Sequence, residues 1–578
     1  MPSVKFLVTI FVIIGIIVVV GVGLSISWRP GINEKPNTNQ ALKQLSLSGT
    51  HNTQVYINPI IRQVFLNNST HIDTRYVKEY SMPNGTWPNG ILVARNGIVW
   101  TVGTMSHTLI GFDPKQGKII SSYPIITPQE EANKTNPKSN QGFQMVWSIV
   151  ESTDGSIWFP EGGSDPLWRF DPNTEKFQVI HSISAAPMQM KVDKRSANIW
   201  FTTFGSGTFG VIQKIIGNKA NIKSNLNDSI TTPEYKVTEF NLGNDSYPSG
   251  IFLQGDSVWI TETLNHNKLV EFKPIVDANG KVVNVTKVLE IPSSSPNFSS
   301  QQKQLFTTPT DLVVFANNTR PSSIWLAEHG TSFITEYRLD SHIIIKFPTS
   351  SSPRHYITLP YWIAEPADHK GFWFNEHEGN RIAFFNTTAT ALLEYEVPTR
   401  DPLNGYIANA LTLSADPNDN NKVWFTEFNH DKIGVLDISL PIPFDINSSA
   451  SKITILSSPP NNAAQKNASS VAATLNVQVT NKKSLSSSSF FNNTNAKHNR
   501  TVIFLNASSS MNPLGKFVNM TAKFYPTSFV DLNKYRSGSN IILQRNDSTP
   551  ITHGNYTLGI SATDGTVTKS IFRYLFVK

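Results

Sequence analysis

Five glutamates share one position in a repeated unit, three residues after a tryptophan: Glu161, Glu262, Glu328, Glu376 and Glu427. Histidines follow several of them closely, at His266, His329, His377 and His430. Carboxylates beside imidazoles can bind a divalent cation through oxygen ligands, or position a general base. A residue repeated this often is also typical of a structural role, in which each carboxylate accepts backbone N–H bonds where neighbouring repeats meet. Both interpretations stay open at this stage.

The repeat that carries these residues predicts the fold. Its tryptophans recur every 40 to 65 residues or so, which is the spacing of β-propeller blades, and they are Trp100, Trp158, Trp200, Trp259, Trp325, Trp373 and Trp424. Turn dipeptides such as Asn96-Gly97 and Asp154-Gly155 precede the tryptophan strands and indicate hairpins. Seven such units predict an all-β, seven-bladed propeller over residues 80–445.

In a propeller blade, the start of the inner strand lies beside the end of the second strand, on the face around the central channel. Tyr361, Trp362 and Trp147 stand at inner-strand starts. Asn409 is expected opposite Glu427 in the last blade. The residues predicted to face a ligand are therefore Asn409, Trp362, Tyr361, Trp147, His377 and His329.

The strings Trp424-Phe425-Thr426-Glu427 and Lys432-Ile433-Gly434 carry a family resemblance. With them, residues 80–440 resemble the virginiamycin B lyase (streptogramin lyase) family of seven-bladed propellers. The resemblance implies an Mg-dependent lyase that opens cyclic depsipeptides by elimination across the ester C–O bond. It places the catalytic glutamate at Glu427 and the second catalytic histidine at His430. The first catalytic histidine falls on Asn409, and asparagine cannot serve as a general base.

Two functions follow from these residues. In the first, the propeller binds a small-molecule or cell-surface ligand and catalyses nothing, as the asparagine at position 409 favours. In the second, it is a carbon–oxygen lyase of the virginiamycin B lyase type, or a lactone hydrolase acting on a cyclic ester, with Glu427 and His430 as catalytic residues. Magnesium is the cofactor that the resemblance implies, and Glu427 and Glu376 are its predicted ligands.

The amino-terminal segment predicts a compartment. Residues 6–27 contain no charged side chain and are long enough to cross a bilayer. We predict a signal-anchor transmembrane helix over residues 1–28, with the bulk of the chain outside the cytoplasm; a cleaved signal peptide is the alternative. The polar residues 29–79 are interpreted as a spacer that also contributes to closing the propeller.

Beyond the repeat, residues 446–578 are rich in Ser, Asn and Ala, with low-complexity linkers between strand-like segments. The ending, a tyrosine-led strand, the turn Asp564-Gly565 and a final alternating strand, predicts an immunoglobulin-like or fibronectin-like β-sandwich. Numerous N-x-S/T sequons fit a glycosylated surface, although a chain this rich in Asn, Ser and Thr also produces them by chance.

Composition excludes several classes of site. The chain has no cysteine, which rules out disulfides, thiolate metal sites and a cysteine nucleophile. Its net charge of +7 is spread without a dense basic block, so we predict no nucleic-acid partner. No nucleophile elbow, helical zinc motif or P-loop occurs. The oligomeric state is left open.

Overall fold

The computed structural model describes residues 74–126, 145–161, 166–181, 184, 187–204, 206–215, 234–243, 245–264, 266–291, 305–317, 320–350, 357–400, 410–456, 471–482, 502–510, 520–525, 529–531, 536–545 and 553–578. Within these ranges the chain is almost entirely β-structure, with a 3-10 turn at Phe428–His430. The first strand, β1 (Val77–Ser81), is separated in sequence from the sheet that it joins.

Seven successive groups of four antiparallel strands form the blades of a β-propeller, which confirms the fold predicted from the repeat. Blade 1 consists of β2 (Pro88–Val93), β3 (Val99–Gly103), β4 (Thr108–Asp113) and β5 (Lys118–Pro124). Blade 2 consists of β6 (Val150–Glu151), β7 (Ile157–Pro160), β8 (Pro166–Asp171) and β9 (Lys176–His181). Blade 3 consists of β10 (Pro187–Val192), β11 (Ile199–Thr203), β12 (Thr208–Ile215) and β13 (Glu234–Asn241). Blade 4 consists of β14 (Pro248–Gln254), β15 (Ser257–Glu262), β16 (Lys268–Val276) and β17 (Val282–Ile291). Blade 5 consists of β18 (Pro309–Asn317), β19 (Arg320–Glu328), β20 (Phe333–Arg338) and β21 (Ile343–Pro348). Blade 6 consists of β22 (Pro360–Ala364), β23 (Gly371–Glu376), β24 (Arg381–Asn386) and β25 (Ala391–Glu396). In each blade the chain runs outward from the inner strand.

The seventh blade closes the ring with a strand from the other end of the propeller. Its first three strands are β26 (Ala410–Ala415), β27 (Lys422–Glu427) and β28 (Lys432–Asp437), and its outermost strand is β1. The Asp431 carboxylate adds to the closure, because it accepts hydrogen bonds from the backbone N–H groups of Gly85 at 2.8 Å and Trp87 at 2.7 Å. The first and last blades are thereby held together without a covalent link.

The repeated tryptophans form the packing layer between blades. All seven lie on the second strand of their blade and are buried. The ring of Trp424 lies 5.9 Å from that of Phe112 in blade 1, and the ring of Trp325 lies 4.7 Å from that of Phe385 in blade 6. Each tryptophan strand therefore supplies a large apolar surface to a neighbouring blade, as expected for a residue that recurs in every repeat.

A two-sheet sandwich follows the propeller. Its strands are β29 (Phe444–Ser448), β30 (Lys452–Ile455), β31 (Val471–Asn481), β32 (Val502–Ser509), β33 (Met520–Tyr525), β34 (Phe529–Asp531), β35 (Arg536–Arg545), β36 (Gly554–Thr563) and β37 (Val567–Val577). One sheet has the order β29-β31-β35-β33, and the other includes β34-β32-β36-β37 with β30 parallel to β37. Buried apolar side chains of both sheets, such as Leu475 and Leu505, belong to one hydrophobic core, and the immunoglobulin-like or fibronectin-like class of this unit stays a prediction.

The sandwich continues the sixth blade. Strand β37 pairs antiparallel with β25, the outermost strand of that blade, from Ala391 opposite Ile571 to Tyr395 opposite Val567. Buried Phe572 places its ring 5.1 Å from that of Phe347 in blade 5 and 5.8 Å from that of Phe385 in blade 6. One continuous sheet and one apolar contact therefore join the propeller to the sandwich.

The fold class and location predicted from the amino-terminal segment require correction. Among the described residues no helix is long and apolar enough to cross a membrane. Residues 6–27, on which the prediction depended, lie outside the described residues. The described fold is therefore all-β, and it does not support the predicted transmembrane helix or the single-pass membrane location.

Candidate functional site

Five aromatic and imidazole side chains meet where inner strands begin, and we call them the aromatic cluster: Trp147, His329, Tyr361, Trp362 and His377. The ring of Tyr361 lies 4.6 Å from His329, 5.7 Å from Trp362 and 6.4 Å from His377, measured between centroids. The two imidazoles stack at 5.8 Å with their planes 15° apart. Three elements from blades 5 and 6 therefore converge on one patch.

Trp147 joins this patch from a distant blade. It precedes β6 in blade 2, yet its ring lies 5.8 Å from that of Tyr361 and stacks on Trp362 at 6.4 Å, with the planes 21° apart. Contact between blades 2 and 6 requires that these side chains reach across the central channel. Five of the six residues predicted to face a ligand are thus brought together, while Asn409 lies outside the described residues.

Backbone hydrogen bonds hold the aromatic cluster in place. The N–H of Trp362 donates to the Asn375 side-chain oxygen at 2.7 Å, and the Thr310 hydroxyl donates to the carbonyl of Tyr361 at 3.0 Å. The N–H of His377 donates to the carbonyl of Leu359 at 3.1 Å, and Leu359 itself has a φ of 51°. A leucine in this left-handed region is uncommon, so local strain is tolerated at the entrance to β22.

The buried members of the cluster are uncharged. Burial, and to a smaller extent the neighbouring His377, lower the pKa of His329 to about 3, so its imidazole is neutral at physiological pH. Burial, with a smaller effect from the Asp311 carboxylate, raises the pKa of Tyr361 well above its usual range, so its hydroxyl keeps its proton. The cluster can stack and exchange hydrogen bonds, but His329 is too weak a base to abstract a proton efficiently near pH 7.

Glu427 belongs to blade 7, outside the aromatic cluster, and lies near a second carboxyl group, that of Glu79. It ends β27 and is fully buried. Lys432 donates to Glu79 at 2.8 Å and to the Thr399 hydroxyl at 2.6 Å, and Thr399 donates to Glu79 through its N–H and its hydroxyl, both at 2.8 Å. Burial and the Glu79 charge raise the pKa of Glu427 well above its ordinary value, against the opposing effect of Lys432. The Lys432 ammonium thus bonds directly to Glu79, whereas at Glu427 its charge only reduces the rise in pKa.

His430 follows in the 3-10 turn Phe428–His430 and is half-buried. Sequence reasoning identified Glu427 and His430 but missed Glu79, which reaches blade 7 on β1. The signal was present in the alternating segment Val77–Ser81, whose pairing with β28 places Glu79 opposite Gly434. Glu79 was missed because the strand that carries it is far from blade 7 in sequence.

Glu376 is part of a second buried cluster, within blade 6. Arg381 lies 3.6 Å from Glu376, 3.8 Å from Glu394 and 2.7 Å from Glu396, and all four side chains are buried. Burial and the Glu394 charge raise the pKa of Glu376 well above its ordinary value, although Arg381 opposes the shift. Three carboxyl groups share one guanidinium, so the site favours retention of a proton.

The predicted magnesium ligands do not fit a common site. Glu376 and Glu427 belong to different blades, and each is buried beside a cation of its own blade, Arg381 or Lys432. In the described part of the chain, no group of three or more histidine, aspartate or glutamate side chains is arranged to hold a metal ion. The two predicted ligands are therefore not brought together in one site.

The other repeated glutamates are likewise engaged within their own blades. Glu328 accepts hydrogen bonds from the Lys346 ammonium at 2.5 and 2.8 Å, and Glu262 accepts one from the Ser246 hydroxyl at 2.6 Å. Glu161 accepts one from the indole N–H of Trp168 at 2.9 Å. Glu328, Glu262 and Glu161 therefore act as internal anchors, mostly through side-chain donors rather than the backbone N–H groups expected from the sequence.

The register of the last blade also differs from the expected one. Ala410 stands opposite Glu427, as Pro360 stands opposite Glu376. Leu411 therefore occupies the strand position that Tyr361 occupies in blade 6. The residue opposite Glu427 is therefore Ala410 and not the expected Asn409, although the inner strands of both blades share the same irregularity after their first paired residue.

Comparison with known proteins bears on the fold. No protein-family model matches the chain, and no curated protein does. Among solved structures, the chain is similar to virginiamycin B lyase from Staphylococcus aureus (21% identity over 63% of this chain and 99% of that chain, TM-score 0.43). It is also similar to a streptogramin B lyase (19%, 63% and 97%, TM-score 0.44) and to the RRP9 WD40 repeats (7%, 64% and 98%, TM-score 0.43). At these identities, the likeness is to the β-propeller fold alone.

Proposed function

We propose that the propeller is a binding module that takes a small molecule at the aromatic cluster and does not transform it. The observation that carries this proposal is the contact of Trp147 with Tyr361 and Trp362 from opposite sides of the ring. Trp147 is only partly buried, so part of its surface is open to a ligand. Tryptophan and tyrosine offer large rigid surfaces that lose little conformational entropy on binding.

The alternative, elimination across an ester bond, is disfavoured by the chemistry of the candidate residues. Elimination requires a base that takes a proton near pH 7, and an imidazole whose pKa is about 3 is poorly matched to that task. The first catalytic histidine implied by the resemblance falls on Asn409, and asparagine cannot serve as a general base. Neither His329 nor Asn409 is therefore poised as the base of a lyase.

Tryptophan fluorescence of the full chain tests the proposal. The protein is titrated with a streptogramin B depsipeptide, benzyl alcohol and a set of neutral glycosides, and each mixture is then examined by mass spectrometry. We expect saturable quenching by at least one of these probes, with the probe recovered at unchanged structure. Trp147→Ala should weaken binding tenfold or more, a change of about 1.4 kcal/mol.

The matched control is Trp168→Phe, on the third strand of the same blade, where the indole is buried against Phe177 and away from the cluster. That variant should bind every probe as the unaltered protein does. A linear depsipeptide of unchanged mass that disappears in Glu427→Gln would overturn the proposal in favour of the lyase. Binding that is equal in both tryptophan variants would place the site elsewhere.

A further inference from the structure

Two polar side chains at inner-strand starts are buried without a hydrogen-bond partner among the described residues. They are Asn89, whose amide nitrogen and oxygen are both unpaired, and Ser249, whose hydroxyl is unpaired. Asn89 has no exposed surface, and Ser249 is 1% exposed. Buried polar atoms in native proteins nearly always have a partner. Two such residues at one repeat position therefore indicate a partner from outside this part of the chain.

Strand register places both residues at the same end of the ring as the aromatic cluster. Asn89 is the second residue of β2 and Ser249 the second residue of β14, as Tyr361 is of β22. The preceding prolines pair with equivalent positions, Pro88 with Gly103 and Pro248 with Glu262. Asn89, Ser249 and Tyr361 are therefore structural equivalents in blades 1, 4 and 6, around one mouth of the channel.

A third unpaired atom lies in the aromatic cluster itself. The Nε2 atom of His329 has no hydrogen-bond partner within the described ranges, and the residue is 5% exposed. Its imidazole is neutral, so its two ring nitrogens comprise one donor and one acceptor. An amide, a hydroxyl and a neutral imidazole, each with an unpaired atom among the described residues, thus lie at the end of the ring that carries the aromatic cluster.

These groups together select the chemistry of a ligand. The amide and the hydroxyl both donate and accept hydrogen bonds, and a ligand hydroxyl can satisfy either role. A carboxylate or phosphate only accepts, and an ammonium only donates, so each would face unmatched atoms as well as the cost of burying its charge. An aromatic surface that packs against C–H groups, combined with uncharged hydrogen-bonding groups, suits a sugar ring.

We propose that the channel mouth of the propeller binds a neutral carbohydrate, with Asn89 and Ser249 hydrogen-bonded to its hydroxyl groups and Trp147 packed against the ring. This inference rests on the proposed function, since it specifies the ligand of the same aromatic cluster. It adds residues from blades 1 and 4 to a site otherwise built from blades 2, 5 and 6.

Titration calorimetry on the full chain tests the inference, with methyl β-glucoside, methyl β-galactoside, methyl α-mannoside, N-acetylglucosamine and their neutral disaccharides as probes. Glucuronate and glucosamine are the charged counterparts. We expect at least one neutral sugar to bind, and its acidic and basic counterparts to bind at least tenfold more weakly. Asn89→Leu and Ser249→Ala should each weaken that binding about tenfold.

Thermal unfolding of the two variants separates recognition from structure. Because each substitution removes a buried polar group without a partner among the described residues, we expect melting temperatures equal to or above that of the unaltered protein. A lower melting temperature with unchanged sugar affinity would show that ordered water or the rest of the chain pairs these groups, and would overturn the inference.

The two proposals fail in different ways. If benzyl alcohol or the depsipeptide binds in a Trp147-dependent manner while every neutral sugar fails, the carbohydrate inference is wrong and the binding site stands. If no probe of any class shows Trp147-dependent binding, the proposed function itself is wrong. If sugar binding is unchanged in Trp147→Ala but lost in Asn89→Leu, the protein binds a sugar, but the aromatic cluster is not part of the binding site.

Discussion

Replacing Glu427 by glutamine should stabilise the propeller at neutral and alkaline pH. The carboxyl group is fully buried, and Lys432, the nearby cation, already donates to Glu79 at 2.8 Å. Glutamine has nearly the same shape and carries an N–H donor that can face Glu79, as the O–H of a protonated Glu427 can. The substitution therefore removes a titratable group without removing packing.

The sign of the pH dependence follows from the direction of the pKa shift. Burial and Glu79 raise the pKa of Glu427 above its ordinary value of 4.5 in the folded protein. The stabilising contribution of the protonated carboxyl is complete below the unfolded pKa and is lost as pH rises through the folded one. The substituted glutamine does not titrate, so the advantage of the variant should grow from near zero below pH 4.5 as the pH rises.

The expected magnitude is about 1 to 3 kcal/mol at neutral pH, the usual cost of leaving a buried polar group unsatisfied. Denaturant unfolding of both proteins at a series of pH values between 4 and 8 measures the difference. Glu79→Gln is the matched control. Although burial raises the pKa of Glu79, the hydrogen bonds from Lys432 and Thr399 outweigh it and leave that pKa lowered. That variant should lose stability, and lose most at high pH.

A loss of stability in Glu427→Gln that is as large at pH 8 as at pH 5 would refute this reasoning. It would show that Glu427 is ionised and paired with Lys432 in the folded protein. Such a carboxylate would also be a credible metal ligand or base. The stability measurement therefore bears directly on the choice between a binding module and a lyase.

Three further predictions concern the same structure. Lys346→Met should cost about 3 to 5 kcal/mol of unfolding free energy because it leaves Glu328 buried and uncompensated, and Glu328→Gln in the same chain should recover part of that loss in denaturant titrations. Phe572→Ala should cost about 3 to 5 kcal/mol of unfolding free energy. Tyr525→Ala, at a side chain that is 66% exposed in the same sandwich, should change the unfolding free energy by less than about 0.5 kcal/mol. Equal effects of the two substitutions would show that the contact of Phe572 with blades 5 and 6 contributes nothing to stability. Added Mg²⁺ should leave the melting temperature unchanged, because the described carboxylates form no shared metal site, and a rise that Glu376→Gln and Glu427→Gln abolish would contradict this.

Sequence periodicity was sufficient for the fold because each blade must bury the same surface. The tryptophan of the second strand recurs in all seven repeats, and the glycines of hairpin turns such as Gly97 and Gly155, both with φ of 85°, mark some of them. The patch formed by Trp147, Tyr361 and Trp362 was also predictable, since all three stand at inner-strand starts. Their contact across the channel follows from ring closure, which sequence spacing alone does not specify.

The carboxylates could not be placed correctly from the same pattern. Whether a glutamate faces the channel or its own blade depends on a cation at another strand, such as Lys346 on β21 for Glu328 or Lys432 on β28 for Glu427. These partners occupy different strand positions in different blades, so they form no repeat. The connection between β26 and β27 is longer than a two-residue hairpin turn, so the strand pairing could not be counted along the sequence, and Asn409 was expected where Ala410 stands opposite Glu427.

The position of the sandwich bears on its role. An outermost strand with unpaired N–H and C=O groups invites pairing with other chains, and proteins commonly cover such edges. Strand β37 covers β25 through five paired residues, while Phe572 fills the space against Phe347 and Phe385. A flexible spacer or an independent adhesive module would need neither contact. The sandwich is better understood as an extension of blade 6, the blade whose inner strand carries Tyr361 and Trp362.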